Sequence, residues 1–133
     1  MMTLDDAVDL VIYAFEHGNQ GDLFVQKAPA ATIDVLAQAV KELMNSKAKI
    51  NIIGTRHGEK LYEVLVTKEE MVAAEDLGNY YRIPADNRNL NYSMYVDSGN
   101  NKLDSVEEYN SHNTCRLTVT EMKALLKRLD EFK

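Results

Sequence analysis

Apolar residues recur at helical spacing in three stretches of the chain, with short apolar runs between them. Leu4, Val8, Val11, Ile12 and Phe15 form the first stripe, the i, i+4, i+7 pattern of an amphipathic helix. Thr3 followed by Asp6 supplies a short capping box at its start, and Gly18 is a natural stop. After a turn over Gly18-Asn19-Gln20-Gly21-Asp22, the all-apolar run Leu23-Phe24-Val25 reads as a strand of the kind buried on both faces. Pro29 and its flanking alanines lead into a second helix, Ile33 to Met44, with the stripe Ile33, Leu36, Ala37, Val40, Leu43 and Met44. Ile50-Asn51-Ile52-Ile53 is the next predicted strand. Helix, strand, helix and strand at this spacing predict the tail of an α/β unit.

Beyond residue 60 the pattern is less regular. Leu61 to Val66 alternates and fits strand or helix equally. Thr67 with Glu70 makes a capping box for a short helix reaching Leu77, which Gly78 stops. Tyr80-Tyr81-Arg82-Ile83 reads as a strand closed by Pro84. From Ala85 to Asn113 the periodicity fades, and so long an irregular stretch in a compact domain serves a site or an interface. Thr118 and Glu121 then cap a last helix with the stripe Met122, Leu125, Leu126, Leu129 and Phe132.

Composition narrows the class. With 133 residues, 45% hydrophobic and 27% charged, the chain is of single-domain size with an ordinary globular balance. No apolar run reaches the roughly 20 residues of a membrane span, and the acidic start Met1-Met2-Thr3-Leu4-Asp5-Asp6 lacks a secretory signal's basic end. The expected location is the cytoplasm. A net charge of −6 argues against nucleic-acid binding, while one anionic ligand held by one or two arginines is compatible with it. Cys115 is the only cysteine, so neither an intrachain disulfide nor a cysteine zinc site is available, and a buried or incidental thiol is expected.

Chemistry concentrates in Gly54-Thr55-Arg56-His57-Gly58-Glu59-Lys60-Leu61-Tyr62-Glu63. Two glycines bracket Thr55, Arg56 and His57, permitting positive φ and a close approach of backbone to ligand. Arg56 and Glu59 offer a fork of donors and an acceptor carboxylate. Two readings stand: the pair braces the loop, or Arg56 binds a phosphate while Glu59 accepts from sugar hydroxyls. Arg88 in Asp86-Asn87-Arg88 offers a second guanidinium, or a solvated one. Tyr80, Tyr81, Tyr92, Tyr95 and Tyr109 either stack on a ligand or pack a core and interface.

Other motifs fail on order or spacing. Gly18-Asn19-Gln20-Gly21 follows a helix and precedes a strand, the reverse of a dinucleotide loop. Gly54 to Lys60 lacks phosphate-loop spacing, and no tyrosine or methionine has a lysine four residues on. His17, His57 and His112 show no metal-ligand spacing. No catalytic, cofactor-binding or metal residue is assigned.

Several runs carry a family resemblance: Asp5-Asp6-Ala7-Val8-Asp9-Leu10-Val11, Tyr13-Ala14-Phe15-Glu16-His17-Gly18 and Gly21-Asp22-Leu23-Phe24-Val25-Gln26-Lys27. It continues through Gly54-Thr55-Arg56-His57-Gly58-Glu59-Lys60, Tyr80-Tyr81-Arg82-Ile83-Pro84, Asp86-Asn87-Arg88-Asn89-Leu90-Asn91-Tyr92 and Tyr109-Asn110-Ser111-His112-Asn113-Thr114. The chain resembles the C-terminal part of an extended short-chain dehydrogenase/reductase of the bacterial capsular polysaccharide type. Such enzymes are inverting 4,6-dehydratases/5-epimerases of UDP-N-acetylglucosamine, often labelled UDP-glucose 4-epimerases.

The resemblance implies an α/β fragment of a Rossmann-type enzyme with its substrate-binding lobe. Residues 1–53 would be the last Rossmann-type elements and the start of the lobe. Residues 54–133 would be the lobe itself, with its irregular arm and C-terminal helix. It implies that Arg56 and Glu59 hold the UDP moiety of a UDP-sugar. NAD(P) serves the full-length family, whose Gly-rich loop and Tyr- or Met-x-x-x-Lys are absent here, so no cofactor is expected on this chain alone. The expected partners are a UDP-sugar and either further copies of the chain or a companion carrying the Rossmann half. The alternatives are a non-catalytic oligomerisation module and the relic of a truncated gene.

Overall fold

Each of the three threonine–acid pairs read as a capping box starts a helix. The Thr3, Thr67 and Thr118 side chains accept from the backbone N–H of Asp6, Glu70 and Glu121, and those carboxylates accept from the threonine N–H at 2.8 Å in every case. Two otherwise orphaned donors are satisfied reciprocally at each helix start. The computed structural model describes residues 1–86 and 105–132. In chain order the elements are α1 (Leu4–His17), β1 (Leu23–Gln26), α2 (Ile33–Leu43), β2 (Val64–Val66), α3 (Lys68–Met71), β3 (Glu75–Asp76), β4 (Tyr80–Ile83), β5 (Tyr109–Asn110) and α4 (Val119–Leu126), closed by a 3-10 turn, Asp130–Phe132. The chain is thus a mixed helix–sheet structure. Of the irregular stretch Ala85–Asn113, residues 87–104 lie outside the described residues.

β1, β4 and β3 make one antiparallel sheet in the order β1-β4-β3, with Phe24 opposite Arg82 and Arg82 opposite Glu75. Arg82 lies at the centre of this sheet and donates to Asp22 at 2.8 Å and to Glu75 at 3.1 Å. α1 rests on the sheet through Tyr13, which stacks on Tyr80 at 4.2 Å and meets Phe24 edge-on at 5.8 Å. The apolar stripe Leu4, Val8, Val11, Ile12 and Phe15 faces outward, with Leu4 79% and Phe15 86% exposed. α1 is apolar on two faces, and the sheet covers only one.

α2 and α4 pack against each other around the buried Ala39, Met122 and Leu126, with Val35, Leu36, Val40, Leu43 and Leu125 beside them. The buried line of α2 is rotated from the predicted stripe toward Val35, Ala39 and Leu43. These are i, i+4, i+8 neighbours on one face, and Ile33 is left 80% exposed. Lys123 donates to Glu42 at 2.7 Å across the pair.

Three expectations are corrected. The strand expected over Ile50–Ile53 does not form. A strand needs a neighbour's backbone donors and acceptors, and no described segment pairs with it, leaving Ile52 93% exposed. The helix expected from Thr67 to Leu77 ends at Met71, because Glu75–Asp76 instead pairs back on β4 as a hairpin. Gly78, at φ +82°, supplies the left-handed residue in its turn. Finally, β1 is not buried on both faces. It pairs antiparallel with β4 and exposes Leu23.

The ambiguous run Leu61–Val66 resolves as the strand β2 at its end, paired antiparallel with β5. β5 is fixed in turn by buried hydroxyls. Tyr109 and Thr114 share a hydrogen bond at 2.6 Å, and Thr114 donates to the Ala28 carbonyl oxygen at 2.9 Å. A parallel bridge between Ala30 and Arg116 joins the same segments. Elements before residue 54 (β1, α2) thereby pair with elements after it (β4, α4).

Candidate functional site

The turn Arg56–Glu59 is closed from both ends. The Glu59 N–H donates to the Arg56 carbonyl oxygen at 3.2 Å, and the Arg56 N–H donates to Glu59 Oε2 at 2.8 Å. Gly54 and Gly58 sit at φ +76° and +83°, and a Cβ at either would meet nothing within 4 Å. Glycine is required there by backbone conformation and not by crowding. The brace between the two residues thus runs from carboxylate to backbone, and the guanidinium takes no part in it. Among the described residues Arg56 forms no salt bridge, although the chain carries 21 acidic residues. The whole loop is exposed.

The end of the loop is docked on the turn that follows β5. The Ser111 N–H donates to the Glu63 carbonyl oxygen at 2.9 Å, and the Glu63 N–H donates to Ser111 Oγ at 3.1 Å. The Tyr62 and His112 rings meet at 5.0 Å. Arg116 donates to the Ser111 carbonyl oxygen at 3.0 Å and lies 3.4 Å from His112 Nδ1. Next to this junction opens a cleft of about 730 Å³, with Phe24, Leu61, Tyr62, Lys60, His112 and Arg116 in its walls. That volume lies within the range of about 300–1,000 Å³ typical of small-molecule sites.

The other candidates separate cleanly. Arg88, Tyr92 and Tyr95 lie outside the described residues. Tyr80, Tyr81 and Tyr109 pack: Tyr80 on Tyr13, and Tyr81 edge-on to Tyr109 at 5.1 Å with Lys27 over its ring at 4.2 Å. Cys115 is a free thiol that is exposed, not buried. Among the described residues no group of three histidine, cysteine, aspartate or glutamate side chains could hold a metal ion. Sequence reasoning missed Glu63, Ser111 and Arg116 as supports of the loop. Glu63 lies 48 residues before Ser111 in the chain, and local spacing carries no signal for such a contact; only the intact motif Tyr109 to Thr114 pointed there.

Comparison with known proteins places this architecture. Residues 1–85 match the family described as "Polysaccharide biosynthesis protein", and residues 86–133 match "Polysaccharide biosynthesis protein C-terminal". Proteins named UDP-glucose 4-epimerase are 62% identical in Rickettsia bellii, 60% in Rickettsia felis and 58% in Rickettsia prowazekii, each over 98% of this chain. The chain spans 38% of the length of each of these relatives. An X-ray structure of Pen from Bacillus thuringiensis superposes with a TM-score of 0.74 at 26% identity, over all of this chain and 38% of that one. The chain belongs to the polysaccharide biosynthesis protein family and corresponds to the C-terminal part of an extended short-chain dehydrogenase/reductase of that family.

Proposed function

We propose that this chain binds a UDP-sugar through the Arg56–Glu59 loop, as the substrate-gripping part of a nucleotide-sugar 4,6-dehydratase or epimerase of surface-polysaccharide synthesis. The observation that carries this is the Arg56 guanidinium. It stands on a glycine-bracketed turn whose shape Glu59 already fixes, and no carboxylate neutralises it among the described residues. A planar fork of this kind suits a phosphate. The naming of the Rickettsia relatives as UDP-glucose 4-epimerases supports the ligand class. Glu59 keeps its second oxygen available for a ribose or sugar hydroxyl.

The glycine turn among the described residues does not fit the NAD(P) that the family employs. The Gly18–Gly21 turn leaves α1 and enters β1, whereas a dinucleotide cradle leaves a strand and enters a helix. No chemical step is assigned to these residues, and this reading expects binding without turnover from the chain alone. A cytoplasmic setting goes with the substrate class, and among the described residues no helix is long and apolar enough to cross a membrane. The outward stripe of α1 favours a protein partner on that face, either a second copy or a chain carrying the Rossmann half. The same stripe supports a second reading, an oligomerisation module without a ligand.

Isothermal titration of UDP-N-acetylglucosamine against the wild type and Arg56→Ala tests the proposal. Saturable binding that weakens about tenfold or more in the variant is expected, the scale of one charge-assisted contact. No binding by the wild type, or equal binding by both proteins, would end it.

A further inference from the structure

We infer that Arg116 is a second anion-binding arm of the same ligand site, so that the diphosphate is held between Arg56 and Arg116. This deepens the UDP-sugar reading and rests on it. The four described arginines fall into two classes. Arg82 is committed to Asp22 and Glu75, and Arg128 to Asp6. Arg56 and Arg116 form no salt bridge among the described residues, in a protein of net charge −6. An arginine left without a carboxylate amid so many acids retains its full charge for an external anion.

Arg116 sits at the junction on which the Arg56 loop ends. Arg116 holds the Ser111 carbonyl oxygen through one guanidinium nitrogen, which leaves its other N–H donors for a ligand. Ser111 is bound reciprocally to Glu63, the last residue of the loop that carries Arg56. Lys60 and Arg116 stand in the walls of the same cleft, and Arg56 is four residues before Lys60, at most about 14 Å of extended chain. The apolar wall at Phe24, Leu61 and Tyr62 gives that cleft a surface for a ring. On its polar side Lys60 is paired with Glu63 at 3.4 Å, which leaves Arg116 as the cation of that wall without a carboxylate partner among the described residues. Two phosphates can each take one guanidinium fork, a geometry that lysine does not reproduce.

The test uses the whole chain and four proteins: wild type, Arg56→Ala, Arg116→Ala and Arg116→Gln. Glutamine can still donate to the Ser111 carbonyl oxygen, so Arg116→Gln keeps the turn if Arg116→Ala loses it, and thermal melting reports which variants are folded. UDP-N-acetylglucosamine is titrated into each, alone and against inorganic pyrophosphate. The expected result is a Kd raised about tenfold or more in Arg116→Gln at an unchanged melting temperature, with pyrophosphate competing well in the wild type and poorly in the variant. Wild-type affinity in Arg116→Gln beside weakened binding in Arg56→Ala would overturn the role of Arg116 and leave the UDP-sugar reading intact. Weakened binding with undiminished pyrophosphate competition would assign Arg116 to the uridine or sugar and overturn the diphosphate assignment. An absence of wild-type binding would sink both readings.

Discussion

Arg128 and Asp6 join the two ends of the chain: the guanidinium donates to Asp6 Oδ1 at 2.7 Å across 122 positions of sequence. The same nitrogen donates to Thr3 Oγ1 at 3.3 Å, so a residue just past the end of α4 clamps the capping box that starts α1. Arg128, followed by the Thr3 backbone N–H, pulls the Asp6 carboxyl down to about 2. The folded pKa lies below the ordinary value of 3.8, so this contribution is fully present above about pH 4 and is lost as pH falls through about 2. Half of the Arg128 side chain is exposed, so solvent screens the pair and its contribution is small. Arg128→Ala is expected to be slightly less stable than wild type at pH 7, with the difference vanishing toward pH 2. Urea denaturation at a series of pH values measures it, and a deficit that persists unchanged at pH 2 would contradict the ion pair as its source.

Glu59 offers a test of how the loop is shaped. Its Oε2 accepts the Arg56 N–H, and a glutamine oxygen can accept the same bond without the charge. Glu59→Gln should therefore hold UDP-N-acetylglucosamine within a few fold of wild type, while Glu59→Ala, which leaves the turn unbraced, should bind about tenfold more weakly. Equal losses in both variants would show that the carboxylate charge matters and the brace does not.

The buried hydroxyl pair makes a stability prediction. Thr114 bonds both Tyr109 and the Ala28 carbonyl oxygen, and Tyr109 and Thr114 are each under a tenth exposed. Thr114→Val keeps the shape and strands both partners, at an expected cost of about 1–3 kcal/mol. Tyr109→Phe removes one bond of the pair and should cost less. Denaturant midpoints decide the order, and a Tyr109→Phe protein less stable than Thr114→Val would reverse the account.

The parts of this fold that were legible in sequence are those written in local chemistry. The caps at Thr3, Thr67 and Thr118 each needed only a threonine and an acid three residues on, and each starts a helix. Gly54 and Gly58 announced the turn they make. Strand pairing was not legible, because it depends on which distant segment arrives. Ile50–Ile53 has the composition of a strand and no pairing neighbour among the described residues, while Glu75–Asp76 has a helical context and pairs with β4. The buried face of α2 was misplaced for a related reason: Ile33 and Ala39 are apolar alike, and only the packed partner decides that one is exposed and the other buried. The Arg56 and Glu59 site was visible as a motif. Its support on Ser111 and the neighbouring Arg116 was not, since a pair such as Glu63 and Ser111 leaves no periodic trace.

The outward face of α1 supplies the last prediction. Tyr13 turns one side of the helix onto β1 and β4, and the other side presents Leu4, Val8, Val11, Ile12 and Phe15 to solvent. A contiguous apolar strip of this kind marks an association surface, and exposed residues contribute little to the fold that displays them, with substitutions usually within about 0.5 kcal/mol. The paired substitution of Leu4 and Phe15 by lysine should therefore leave the melting temperature nearly unchanged while reducing the mass of the particle seen by light scattering. The salt dependence supplies a control, since apolar association survives salt that screens charge. A wild type that is monomeric at working concentration, or a double variant that keeps the assembled mass, would remove α1 from the interface. A variant that dissociates and melts at a much lower temperature would mean that the partner is part of the stability of the fold itself, which places the helix in an obligate contact and not a transient one.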